Sequence, residues 1–247
     1  MRLALEDIGH HYFGKTVIEG FDLSLGGGEV VALIGPSGCG KTTILQIAAD
    51  LVEPTRGTVA RNYDRHAVVF QEPRLLPWLT TLDNIAYGLR VSGNSRHAAR
   101  EIAAERALQV GLATGDFDKY PIELSGGMRQ RASVARALAV SPQMIYFDEP
   151  FTAVDVGLKR ILQDRVIEAA GRDSFSALFV THDLAEAVRI ANRLVVLSSA
   201  EGRVVSRRDI AGMPGQRTSR QIFELVESWS ADPAFAELFG YDERVRA

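Results

Sequence analysis

The sequence predicts an α/β fold: a mainly parallel sheet at its core, an N-terminal antiparallel β subdomain, and a helical lobe inserted into the core. Three observations carry that prediction. Val30 to Ile34 is a short apolar run flanked by glycines and followed by a helical pattern over residues 41–51, which gives the order strand, Gly-rich turn, helix. Two later apolar runs, residues 144–147 and 177–180, each lead into a helix-like stretch, at about 156–170 and 184–191, and such alternation builds parallel sheets. Between Gln71 and Leu138 the pattern turns helical, with Ala- and Arg-rich segments near 96–110 and 128–139, which sets a helical lobe inside the core.

The flanking segments complete the outline. Residues 2–25 alternate apolar and polar side chains around turn-like Gly14 and Gly20 and read as antiparallel strands at the edge of a larger sheet. Beyond Arg207 a Gly- and Pro-containing linker leads to an amphipathic helix over about 219–228, read as a packed terminal helix. The chain therefore divides into one domain over residues 1–207, with the lobe at about 72–139, and a C-terminal helical tail over 208–247.

Bulk properties narrow the function classes. With 247 residues, 46% hydrophobic and 24% charged, the chain is large enough for one substantial α/β domain with a smaller lobe. A formal net charge of -3 provides no global basic field, which argues against nucleic acid as a partner. The N-terminal residues reach Glu6 and Asp7 before any apolar core forms, unlike a secretory signal, and no apolar stretch is long enough to span a bilayer. Both features predict a cytoplasmic protein. The single cysteine, Cys39, rules out an intramolecular disulfide.

The chemistry begins at Gly35-Pro36-Ser37-Gly38-Cys39-Gly40-Lys41-Thr42, which matches G-x-x-x-x-G-K-[ST] between a predicted strand and a predicted helix, with Thr43 next in the helix. Glycines let the backbone curl so that successive N–H groups converge on phosphate oxygens, and the helix that follows points its positive end at the same place. Lys41 supplies a point charge for the β- and γ-phosphates of ATP, and Thr42 offers a hydroxyl to Mg²⁺. This is the phosphate loop of a P-loop NTPase core. Downstream, an apolar strand ends in Asp148-Glu149. Asp148 suits a Mg²⁺ held through its water shell, and Glu149 suits the orientation and deprotonation of an attacking water.

Those two motifs occur in many kinases and GTPases, so the class is decided by Leu124-Ser125-Gly126-Gly127-Met128, which opens a helix ahead of the acidic strand. Ser125 reads either as a simple helix cap or, with Gly126 and Gly127, as a second anion cradle. A chain with a phosphate loop has little need of a second cradle of its own. Two copies arranged head to tail would merge the two into one site.

This arrangement resembles the ABC ATPase family, in which the LSGGQ-type motif of one subunit closes over ATP held by the other, and the resemblance covers about residues 3–205. It implies an ATPase domain and assigns further residues. Gln71 resembles the Q-loop glutamine that contacts Mg²⁺ and the attacking water, and His182 the switch histidine that contacts the γ-phosphate. Asp155 resembles the D-loop aspartate of the dimer interface, and Tyr12 the aromatic that stacks on adenine, with Phe13 as its competitor. The sequence departs from the family pattern at Met128 in place of the usual glutamine, at Thr152 and Val154 in place of the usual Gly and Leu, and at Asp50, where a glycine often follows the phosphate-loop helix.

The run from Leu75 to Ile85, which opens with Leu75-Leu76-Pro77-Trp78 just after Gln71, suits a groove that receives a short helix from a membrane partner. Together with Glu123 to Arg131 and Asp148-Glu149-Pro150-Phe151, it is similar to the nitrate/sulfonate/taurine branch of bacterial importers. That resemblance implies a homodimer that sandwiches ATP, integral membrane permease subunits, indirectly a periplasmic substrate-binding protein, and a peripheral position on the inner face of the cell membrane. Two rival classes fit less well. DNA-repair or translation ABC ATPases carry coiled-coil insertions or fused nucleotide domains, and a small-molecule kinase leaves residues 124–128 and His182 unexplained.

Overall fold

A computed structural model describes residues 1–152, 154, 156–173, 175–199, 201–232 and 235. In chain order the elements are β1 (Leu3–Tyr12), β2 (Lys15–Leu25), β3 (Val30–Ile34), α1 (Lys41–Ala48), β4 (Arg56–Arg61), β5 (His66–Val69), α2 (Thr81–Val91), α3 (Arg96–Gln109), α4 (Gly126–Ala139), β6 (Met144–Asp148), α5 (Val156–Asp173), β7 (Ser176–Val180), α6 (Leu184–Ile190), β8 (Arg193–Leu197), β9 (Val204–Asp209) and α7 (Ser219–Ser230). They fall into two compact units, Met1–Tyr63 with Ser176–Ala247, and Asp64–Phe175.

In the first unit, β3 lies between β7 and β8 and is parallel to both, while β9 closes the edge antiparallel to β8. All five residues of β3 and of β7 are buried, as expected of strands covered on both faces. The N-terminal strands do not extend that sheet. They form their own antiparallel sheet in the order β2-β1-β4, which corrects the expectation of an edge addition. Gly20 is no turn either. It lies within β2 at φ 63, and β1 breaks register with β2 opposite it, between Ile8 and His10.

Helix α1 stops at Ala48, three residues short of the predicted end, because Asp50 takes a left-handed φ of 63. That conformation explains why a glycine often stands here. Asp50 tolerates it beside Arg61, whose Nη1 lies 3.2 Å from Asp50 Oδ1. Arg61 also donates from Nε to the carbonyl of Ala48 at 2.9 Å and from Nη2 to that of Ile47 at 2.6 Å, so it satisfies carbonyls that the helix end leaves open.

In the second unit, β5 and β6 pair in parallel, Val69 opposite Phe147, and the helices α2, α3 and α4 pack on one another. The buried faces of α3 and α4 are rich in alanine: Ala99, Ala103 and Ala107 on α3, and Ala132, Ala135 and Ala139 on α4. Small side chains at helical spacing let helix axes approach closely.

Candidate functional site

Each compact unit carries its own set of candidate residues. In the first, the Gly-rich loop joins β3 to α1. Gly35 is buried, and a Cβ there would come within 2.7 Å of Cys39 Sγ and 3.0 Å of Leu197 Cβ, so no other residue fits without displacing its neighbours. Gly38 and Gly40 hold φ of 80 and 98, and Ser37 and Gly38 form the exposed apex. Gly40 is the N-cap of α1 and brings no side-chain cap, and the first turn carries no acidic residue. No side chain caps the N-terminus of α1, the electrostatic setting of an anion site.

Lys41 is buried, and its Nζ donates to the carbonyl oxygens of Gly35 at 2.7 Å and Pro36 at 2.8 Å. The ammonium thus stands across the loop, held by the loop backbone. Thr42 is exposed and Thr43 half-buried at the start of the same helix. Cys39 is buried with its Sγ 4.0 Å from Lys41 Nζ.

The same unit places His182 in an exposed position after β7, between buried Thr181 and Asp183. The turn is fixed by side chains. Asp183 caps α6, its Oδ1 accepting from Glu186 N at 3.0 Å, while the Thr181 hydroxyl accepts from Asp183 N at 3.1 Å and donates to the Glu186 carboxylate. Tyr12 ends β1 and is 42% exposed, and Phe13 is fully exposed at φ 48 in the turn.

In the second unit, Asp148 is buried at the end of β6, and Glu149 follows with φ 44, half-exposed. A left-handed φ at a non-glycine residue is a strained conformation of the kind found at active sites. The Thr152 hydroxyl lies 3.3 Å from both the backbone oxygen and Oε2 of Glu149, which gives this departure from the family pattern a contact with the second carboxylate. Asp155 lies outside the described residues. Gln71 is exposed, two residues past the end of β5, and buried Gln130 of α4 donates to the carbonyl of the intervening Phe70 at 3.4 Å.

Ser125 is the N-cap of α4. Its Oγ accepts from Met128 N at 3.2 Å, so the capping reading holds, and Gly126 and Gly127 form the first turn of the helix. The loop between Gln71 and α2 is tied down by two side chains that sequence reasoning missed. Buried Asn84 accepts from Leu76 N at 2.7 Å and donates to the carbonyls of Leu76, Leu79 and Thr80 at 3.0, 3.1 and 3.1 Å. Arg136 of α4 donates to the carbonyls of Arg74 and Pro73, both at 2.9 Å, and burial lowers its pKa. No local motif marks either residue: Arg136 reaches partners far away in sequence, and the nearby partners of Asn84 are main-chain groups whose positions depend on the path of the loop. With its backbone held, the loop presents Trp78, 70% exposed, beside exposed Pro77.

Among the described residues no group of three or more His, Cys, Asp or Glu side chains could hold a metal ion, and no helix is long and apolar enough to cross a membrane.

Comparison with known proteins identifies the family. The family model described as ABC transporter matches residues 18–152. An aliphatic sulfonates import ATP-binding protein of Pseudomonas syringae pv. syringae is 45% identical over 193 residues, 78% of this chain and 79% of that protein. A taurine import ATP-binding protein of Escherichia coli is 40% identical over 244 residues, 93% of this chain and 91% of the other. Among solved structures, the dimer of an ATP-binding cassette in a post-hydrolysis state with ADP and Pi superposes with a TM-score of 0.77 at 28% identity, covering 85% of this chain and all of that one. The chain belongs to the ABC transporter family, as an ATP-binding and ATP-hydrolysing cassette.

Proposed function

We propose that the chain powers a solute importer of the sulfonate/taurine type, working as a pair of copies on permease subunits at the inner face of the membrane, with a periplasmic binding protein selecting the solute. The observation that carries the nucleotide part is the uncapped α1 N-terminus with Lys41 poised across its loop. The import part is supported by relatives whose printed names are sulfonate and taurine import proteins.

In this reading the backbone N–H groups of Ser37, Gly38, Cys39 and Gly40, with Lys41 and Thr43, grip the phosphates of ATP, and Tyr12 rather than Phe13 stacks on adenine. Glu149 takes the proton of the attacking water, Gln71 orients that water, and His182 contacts the γ-phosphate. The Thr42 hydroxyl, the Gln71 amide oxygen and the Asp148 carboxylate are hard oxygen donors, the kind Mg²⁺ accepts alongside phosphate oxygens and water, so this set fits the ion. When bound, Mg²⁺ neutralises charge on the β- and γ-phosphates.

Ser125, Gly126 and Gly127 of one copy close over the γ-phosphate held by the other, with Asp155 at the same interface. Because that phosphate then bridges two subunits, its loss on hydrolysis removes the contacts that favour the closed pair, and opening and closing moves the permease. The loop at residues 75–79, with Trp78 at its surface, is the docking point for a permease helix.

The test is ATPase activity and ATP-dependent dimerisation of the purified chain, wild type beside Lys41→Ala, Glu149→Gln and Ser125→Arg. The shared-site reading expects activity lost in all three and ATP-stabilised dimers in Glu149→Gln. Full activity in a monomeric Ser125→Arg protein would remove it.

A further inference from the structure

The Tyr12 ring is not alone at the end of its strand. His10, two residues earlier in β1, lies with its ring centroid 4.5 Å from that of Tyr12 and the planes at 75°. Edge-to-face contact of this kind is a preferred arrangement of aromatic pairs. His10 is only 7% exposed, and neither of its ring nitrogens has a hydrogen-bond partner. Its side chain borders a cavity of about 250 Å³ shared with His11, Thr16 and Arg56 of the three-stranded sheet.

A neutral imidazole carries one donor and one acceptor, and burying both unpaired costs stability. Packing alone would select an aliphatic side chain at this position. What the imidazole supplies instead is a flat, rigid body at contact distance from Tyr12. Nothing comparable comes from the turn, where Phe13 points away into solvent with a left-handed backbone. A tyrosine 42% exposed at a strand end samples several ring orientations unless something braces it.

We propose that His10 is a positioning residue for nucleotide recognition: it fixes the Tyr12 ring in the orientation that offers its face to the base before the nucleotide arrives. The proposal rests on Tyr12 stacking on adenine. Preorganisation of a binding group acts on affinity and leaves the chemical step alone, so the effect falls on KM and not on kcat.

The experiment is a double-mutant cycle on the full chain, reading phosphate release against ATP concentration. His10→Ala and His10→Leu raise the KM for ATP about 2- to 13-fold, the ratio that corresponds to an aromatic pair worth about 0.5–1.5 kcal/mol. Both keep kcat within about twofold of wild type. His10→Leu fills the buried space and so separates loss of the ring from loss of the fold. His10→Phe restores a ring without unpaired nitrogens and returns KM to the wild-type value. In a Tyr12→Ala background, His10→Leu changes nothing further. A Tyr12→Ala protein with unaltered KM would remove the stacking reading and this proposal together. A raised KM in Tyr12→Ala, with His10→Leu either silent or equally damaging in both backgrounds, would overturn the role of His10 alone.

Discussion

Helices α1 and α4 both begin at a glycine-containing anion motif, yet their N-termini are in opposite states. At α1 the N-cap is Gly40 in a left-handed conformation with no side chain to offer, and the nearby cation is held by the loop's own carbonyls. At α4 the N-cap is Ser125, extended, with its hydroxyl already bonded to Met128 N. The first terminus has no side-chain cap and the second supplies its own. A phosphate at α1 displaces no side-chain cap, whereas a phosphate at Ser125 competes with an existing hydrogen bond. Under the proposed function, primary binding belongs to the loop of α1, and the α4 motif acts as a second, conditional grip that engages only when the ligand is already held.

Four substitutions test this contrast, taken from the largest expected effect down. Lys41→Ala lowers ATP turnover by about 100-fold or more, the usual scale for removing a charged group from a transferring phosphate, and calorimetry shows ATP affinity falling with it. Gly40→Ala combines a φ of 98 with a Cβ 3.1 Å from the Val17 carbonyl. It costs about 1–3 kcal/mol of stability, seen as a lower Tm, and weakens ATP binding by the isolated chain.

Ser125→Ala removes only the cap. It costs about 1 kcal/mol and leaves ATP binding to the monomer intact, while ATP-driven dimerisation, followed by light scattering, weakens. Gly126→Ala is the mildest. Its Cβ meets nothing closer than Arg129 Nη2 at 3.9 Å, so Tm stays level or rises by the equivalent of at most about 1 kcal/mol. Equal loss of monomer ATP binding in the Ser125 and Lys41 variants would break the contrast, because both termini would then be primary sites.

The phosphate loop was legible in the sequence because its determinants are consecutive: the glycines, lysine and threonine that shape it lie within eight residues, and β3 was placed with the correct ends. The buried strands at residues 144–147 and 177–180 were found for the same reason, each a short uninterrupted apolar run, and both appear within one residue of the expected limits. Strands β4, β8 and β9 were not anticipated. β4 and β9 are only partly buried, and Arg56, Arg61, Arg207 and Arg208 interrupt any apolar signal.

The family departures divide along the same line. Asp50 had no readable consequence until its left-handed φ was known, and the contact of Thr152 with Glu149 depends on a backbone turn that side-chain identity does not reveal. His10 and Asn84 looked like ordinary polar residues. What sets them apart is burial and contacts with near neighbours in sequence that only the path of the backbone reveals.

Asn84 and Arg136 grip the loop over residues 73–80 solely through its main chain. A clamp of this kind is blind to side-chain identity. The residues at the tip of the loop can be exchanged by mutation while its path is conserved, so under the proposed docking role a duplicated copy of the gene could acquire a new membrane partner through substitutions at Leu75, Pro77 and Trp78, with the nucleotide machinery left untouched. For the engineer, that docking role would make those three positions the place to graft the preference of one transporter onto the motor of another.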